Sequence, residues 1–214
     1  MRIASLTRQS LVDWPGKVAA VVFTRGCNFR CGFCHNPSLV LPQLMNSEPD
    51  IPEKEIFDYL EKRKDWLDGV VITGGEPTVH KDLDIFLQTI GKIGMAIKLD
   101  TNGTNPEILE SLFHRNLVDF VAMDIKTVLS EKHYARITPN ISRVQVEKMI
   151  RSVQLIRQSG AGYQFRTTVI PGIHSMEITE QLTSRYRDDP YVFQPFKQSG
   201  IDGILSDYIH STHI

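Results

Sequence analysis

Apolar positions along the chain switch repeatedly between two periods. Val18 to Thr24 is a short, β-branched apolar run that predicts a buried strand. Pro52 to Lys64 then carries Ile56, Tyr59 and Leu60 at helical spacing. The alternation continues with strand over Gly69 to Thr73, helix over Asp82 to Ile90, strand over Met95 to Asp100 and helix over Pro106 to Arg115. It closes with strand over Val118 to Asp124, helix over Val144 to Ser159, strand over Tyr163 to Ile170, helix over Ser175 to Tyr186 and strand over Tyr191 to Pro195. Pro106 suits a first helical turn, and Gly160 suits a helix stop. The near-continuous apolar strands are of the kind buried on both faces of a parallel sheet. The pattern therefore predicts one α/β domain over 1–214, a partial (βα)6 barrel with its core over about 17–197 and a short C-terminal tail.

In such folds chemistry sits beyond the carboxyl ends of the strands. Polar and glycine residues cluster at these ends: the loop after Thr24, Gly74-Gly75-Glu76-Pro77, Asp100-Thr101-Asn102-Gly103 and Asp124-Ile125-Lys126. Arg166 interrupts the apolar strand that leads to Pro171-Gly172, and the last strand ends near Lys197. A buried guanidinium is costly unless paired, so Arg166 is expected to meet an anion inside the barrel, either a ligand carboxylate or Asp124.

The 24 Lys and Arg residues against 25 Asp and Glu give a formal charge of −1, so no general attraction to nucleic acid or anionic membrane is expected. The longest apolar run, Val18 to Phe23, is far short of the roughly twenty residues of a membrane helix. The first residues lack the apolar stretch of a signal peptide, so a cytoplasmic location is expected.

All three cysteines, Cys27, Cys31 and Cys34, lie within eight residues, too close for a disulfide framework. Three thiolates on one loop can hold a metal centre. Zinc would need a fourth ligand, for which His35 is adjacent, whereas a 4Fe–4S cluster on three thiolates keeps one iron open to a small molecule.

The stretch Gly26-Cys27-Asn28-Phe29-Arg30-Cys31-Gly32-Phe33-Cys34-His35-Asn36-Pro37 resembles the CxxxCxxC signature of the radical S-adenosylmethionine (SAM) enzymes, and Gly74-Gly75-Glu76 resembles that family's GGE motif. From about residue 10 to 197 the chain is most similar to activating enzymes of glycyl radical proteins, closest to those of anaerobic ribonucleoside-triphosphate reductase. Leu11-Val12-Asp13-Trp14-Pro15-Gly16 and Val169-Ile170-Pro171-Gly172 add to the match. The resemblance implies one 4Fe–4S cluster on Cys27, Cys31 and Cys34, and reductive cleavage of S-adenosylmethionine to methionine and a 5′-deoxyadenosyl radical.

It further implies that Phe33 and His35 pack on the adenine, and that Gly74, Gly75 and Glu76 meet the cofactor's amino group. Asp100, Thr101 and Asp124 would hold a monovalent cation beside the cofactor carboxylate. Lys126, read from its own position at the strand end, is expected, like Arg166, to pair with a carboxylate in binding the cofactor. Asp13 would meet the substrate's glycine loop, although Trp14 stands where formate-lyase activators commonly have glycine. The implied partners are a glycyl radical enzyme and a flavodoxin- or ferredoxin-like electron donor. Rival readings are an activator of pyruvate formate-lyase, a small-molecule enzyme such as a 7-carboxy-7-deazaguanine synthase, an electron-transfer iron–sulfur protein and a zinc-binding module.

Overall fold

The computed structural model describes residues 1–45, 48–139 and 141–197. The expected tail, with His210 and His213, lies outside the described residues. Seven strands form one sheet in sequence order: β1 (Ile3–Ser10), β2 (Ala19–Thr24), β3 (Gly69–Gly74), β4 (Ala96–Thr101), β5 (Phe120–Asp124), β6 (Gly162–Val169) and β7 (Tyr191–Pro195). All six expected strands are present. β2 to β7 run parallel, with helices α2 (Glu53–Arg63), α3 (Leu83–Ile93), α4 (Pro106–His114), α6 (Arg143–Gln158) and α7 (Met176–Arg185) as crossovers. The short helices α1 (Pro42–Met45) and α5 (Glu131–Tyr134) had no signature in the periodicity.

The wholly parallel expectation needs one correction, because β1 pairs antiparallel with β2. Its sequence, IASLTRQS, is largely polar, and its register is interrupted between Ile3 and Ser5 and between Thr7 and Ser10. Such a strand lacks the apolar run that marks a sheet interior and suits an edge, where one side needs no partner. β1 and β7 are the two edges, so the barrel is partial.

The parallel register sorts residues onto two faces. Ala20, Val22, Val70, Ile72, Leu99, Val121 and Met123 form the outer face and pack beneath Ile56, Leu60, Phe86, Leu87, Leu109 and Met149 of the helices. The inner face begins with Ala19, Val21 and Val71 around buried Trp14, whose ring lies 6.0 Å from that of Phe120. A Cβ on Gly69 would stand 2.8 Å from the Trp14 ring, so Trp14 fills the amino-terminal end of the barrel. Higher on the same face, toward the carboxyl ends, the register places Lys98, Asp100, Asp124 and Arg166. Among the described residues no helix is long and apolar enough to cross a membrane.

Local sequence sets the helix ends. Ser142 and Gln145 form a reciprocal capping box at the start of α6, and Gly94 ends α3 at φ +88°.

Candidate active site

The loop that leaves β2 carries the three cysteines, and main-chain bonds hold its course. The Gly26 N–H donates to the Leu39 carbonyl at 2.7 Å, and the Arg30 N–H donates to the Thr138 hydroxyl at 2.9 Å. The Arg30 guanidinium turns back onto the carbonyls of Cys27 and Phe29, at 2.7 and 2.8 Å. Cys31 is buried, and Cys27 and Cys34 are partly so. Burial, with the nearby Glu76 charge, pushes the Cys27 thiol up to about 12, and burial pushes Cys31 up to about 11 and Cys34 upward. The Phe29 N–H points at Cys27 Sγ from 3.4 Å.

Gly74-Gly75-Glu76 closes over this loop from β3. A Cβ on Gly74 would lie 2.4 Å from the Thr24 nitrogen, and one on Gly75 only 2.0 Å from the Gly26 carbonyl oxygen. The glycines therefore let two backbone segments of the chain touch, which the sequence alone reads equally well as room for a ligand. Glu76 is buried. Its Oε1 accepts from the Thr78 N–H at 3.1 Å, the Thr78 hydroxyl at 2.5 Å and the Thr101 hydroxyl at 2.7 Å, and its Oε2 accepts from the Asn102 N–H at 2.6 Å. Burial raises this carboxyl above its ordinary range, against the pull of those bonds. Changing Glu76 to Gln, which turns an amide NH2 toward these donors, is expected to cost about 2 kcal/mol and to lower the melting midpoint by about 4–8 °C, read by thermal unfolding of the cofactor-free protein.

The inner wall is ionic. The Lys98 ammonium, 2% exposed, lies 2.5 Å from Asp100 Oδ1. The Arg166 guanidinium reaches Asp124 Oδ1 at 2.8 Å and Asp100 Oδ2 at 3.4 Å, and Lys126 stands 3.5 Å from Asp124 Oδ2. Burial would raise the Asp124 carboxyl, but the Arg166 and Lys126 charges outweigh it and hold the group below its usual range. Lys126 is held above its ordinary value: burial acts to lower it, and the Asp124 charge opposes that.

These elements enclose a cavity of about 170 Å³ lined by Cys27, Cys31, Cys34, Phe33 and His35 on one side. Gly74, Gly75, Glu76, Asp100, Thr101, Asp124 and Lys126 line the other. A single water needs only about 10–15 Å³ by this measure, so there is room for a larger ligand. Arg166 joins Phe33, Asp124 and Lys126 around an adjoining cleft. Asp13 stands apart: it follows β1 beyond Ser10, which pairs with Ala19 at the far end of β2, and it accepts from the Ser10 hydroxyl at 2.5 Å.

Sequence reasoning missed four residues here. Lys98 bore the signal that singled out Arg166, a charge inside an apolar strand. Asn102 read only as half of an Asn-Gly turn. Its Nδ2 donates to Asn28 Oδ1 at 2.9 Å, and Asn28 in turn donates to the Thr104 hydroxyl at 2.6 Å, tying the cysteine loop to the end of β4.

The profile of the Radical SAM superfamily matches residues 21–181, three quarters of the chain. The chain belongs to this superfamily. A Methanocaldococcus jannaschii protein named as a glycyl-radical enzyme activating enzyme is 31% identical over 198 residues, covering 91% of this chain and 80% of that protein. The pyruvate formate-lyase-activating enzyme of Listeria monocytogenes is 32% identical over 142 residues, covering 62% of this chain and 56% of that enzyme. Among solved structures, Streptococcus suis SuiB bound to S-adenosylmethionine superposes with a TM-score of 0.66 at 18% identity, which shows the shared fold. The match covers 90% of this chain and 46% of SuiB, so the chain spans about half of that structure's length. Radical SAM proteins are enzymes that use a 4Fe–4S cluster and S-adenosylmethionine, and these are the cofactors of this chain.

The residues present fit that pair of cofactors. Three soft sulfur donors border the cavity, and a four-iron cluster takes one thiolate per iron, so they need not converge on one point. The histidine that a zinc site would need as fourth ligand is turned toward the end of the chain's last described segment. The His35 ring stacks on Phe196 at 5.3 Å, and its Nε2 faces the Lys197 carbonyl at 3.2 Å. The cation reading fits less well. Asp100 and Asp124 already face three cationic side chains, and among the described residues no three His, Cys, Asp or Glu side chains form a cradle for one metal ion.

Proposed function

We propose that this chain generates a glycyl radical on a larger partner enzyme, most specifically an anaerobic ribonucleoside-triphosphate reductase, with electrons from a flavodoxin- or ferredoxin-like donor. One observation carries the reading: the cysteine loop, the Gly-Gly-Glu turn and the Asp-Lys end of β5 share one cavity. The names of the M. jannaschii and L. monocytogenes relatives support the class of partner.

Cys27, Cys31 and Cys34 hold the cluster, and the Phe29 N–H donates to the Cys27 sulfur. Among the described residues Glu76 Oε2 accepts from the Asn102 N–H alone, so it keeps a lone pair for the ammonium group of S-adenosylmethionine. Three cationic side chains against two carboxylates leave Lys126 and Arg166 one positive charge in excess, which suits the cofactor's carboxylate. Phe33, on the cysteine loop itself, lines both the cavity and the cleft that holds Arg166, and offers a flat apolar wall for the adenine. Gly74 and Gly75 hold the loop close to β3. When bound, the cofactors supply one-electron cleavage and hydrogen abstraction; the chain orients them and limits water.

The test is anaerobic. The protein is reconstituted with iron and sulfide, reduced, and given S-adenosylmethionine together with a candidate reductase, and separately with a pyruvate formate-lyase. We expect 5′-deoxyadenosine, and a glycyl signal by electron paramagnetic resonance with the reductase. A signal only with the lyase would reassign the partner. 5′-Deoxyadenosine with neither partner responding would keep the chemistry and reject the glycyl assignment.

A further inference from the structure

The resemblance implies a monovalent cation held by Asp100, Thr101 and Asp124. In this chain those groups are engaged otherwise. Asp100 Oδ1 is taken by the Lys98 ammonium at 2.5 Å, and Oδ2 faces Arg166 at 3.4 Å. The Thr101 hydroxyl donates to Glu76 and accepts from the Gly103 N–H at 3.1 Å. Asp124 faces Arg166 and Lys126. We propose that the Lys98 ammonium takes the place of that cation, so that this chain handles S-adenosylmethionine without a free monovalent ion.

The chemistry favours Lys98 over an added ion. An ammonium is a compact point charge with three donors, the side-chain group nearest in character to a small monovalent cation. The ammonium is 2% exposed, so it is shielded from water on its own side of the pair, and its strand places it beneath the Asp100 carboxylate on the same face. A further cation would sit among three positive side chains and two carboxylates, where every added unit of positive charge is repelled at low dielectric. Lys98 is thus a positioning residue: it fixes Asp100, which with Asp124 holds Arg166 at the cleft adjoining the cavity. The inference concerns the chain's own charges and stands whichever partner it serves.

The test compares potassium with the bulky tetramethylammonium ion at matched ionic strength, with deazaflavin photoreduction so that no alkali metal enters with the reductant. The wild-type protein is expected to form 5′-deoxyadenosine at rates within about twofold in the two media. Lys98→Met is expected to lose about tenfold or more in tetramethylammonium and to regain most of it with potassium or sodium, because removal of one buried partner leaves Asp100 for a free ion to fill. Lys98→Arg is expected to stay indifferent to potassium.

The melting midpoint of the cofactor-free proteins gives a second reading. Potassium should raise it for Lys98→Met and leave the wild type unmoved. A wild type that needs potassium, or a Lys98→Met protein that no alkali ion rescues, overturns the proposal. Should Lys98→Met fail to fold, the wild-type and Lys98→Arg comparisons still decide it. Absence of cleavage in every medium counts against the catalytic reading, while the cofactor-free melting series still tests the role of Lys98.

Discussion

Changing Cys31 to Ala is expected to leave the chain folded and to abolish cleavage of S-adenosylmethionine. Cys31 is buried at 7% exposure within the main core, so loss of its sulfur costs about 1 kcal/mol of apolar burial. The chemical loss is far larger. Changes to groups that merely orient metal ligands cost about 10–100-fold, and removing a ligand exceeds that, so 5′-deoxyadenosine formation should fall by more than about 100-fold. Iron and sulfide content per chain should fall with it, while the melting curve of the cofactor-free protein stays close to wild type. Normal cleavage by a Cys31→Ala protein would sink the assignment of the cysteines as cluster ligands.

Gly75→Ala is expected to do comparable damage by a different route. Its Cβ would stand 2.0 Å from the Gly26 carbonyl oxygen and 2.7 Å from the carbonyl carbon, and a backbone group cannot swing aside as a side-chain end can. Relief requires the end of β3 to part from the cysteine loop, breaking the Gly75 N–H bond to Thr24 and the Glu76 N–H bond to Gly26, at 2.9 and 2.8 Å. Overpacking of this kind costs about 1–3 kcal/mol or somewhat more. Because Cys27 follows Gly26 directly, iron loading should fall together with stability. Gly91→Ala is the control: it lies in α3 with open space at its Cβ position, and it should be neutral or stabilising by about 0.5–1 kcal/mol. Equal loss of iron loading in both variants would refute the close-approach argument.

The six parallel strands and five crossover helices were legible because their periods are local properties of short runs. The cavity was legible for a related reason. Parallel topology sends every strand's carboxyl end to one rim, so Cys27, Glu76, Asp100 and Asp124 could be grouped from topology alone. β1 was not legible, because an edge strand with one free side tolerates IASLTRQS without an apolar run.

By itself, the sequence determined the six parallel strands, the cysteine spacing and the rim on which the chemistry sits, since period and spacing depend only on neighbours along the chain. Only the tertiary structure decided what each polar group faces. It placed Lys98 on Asp100, turned His35 to Phe196 and Lys197, pressed Gly75 against Gly26, and left Asp13 at the opposite end of β2. Those outcomes depend on distances between residues far apart in sequence. In a desolvated interior a charge must find whichever opposite charge the fold brings within a few ångströms, and no local pattern names that partner.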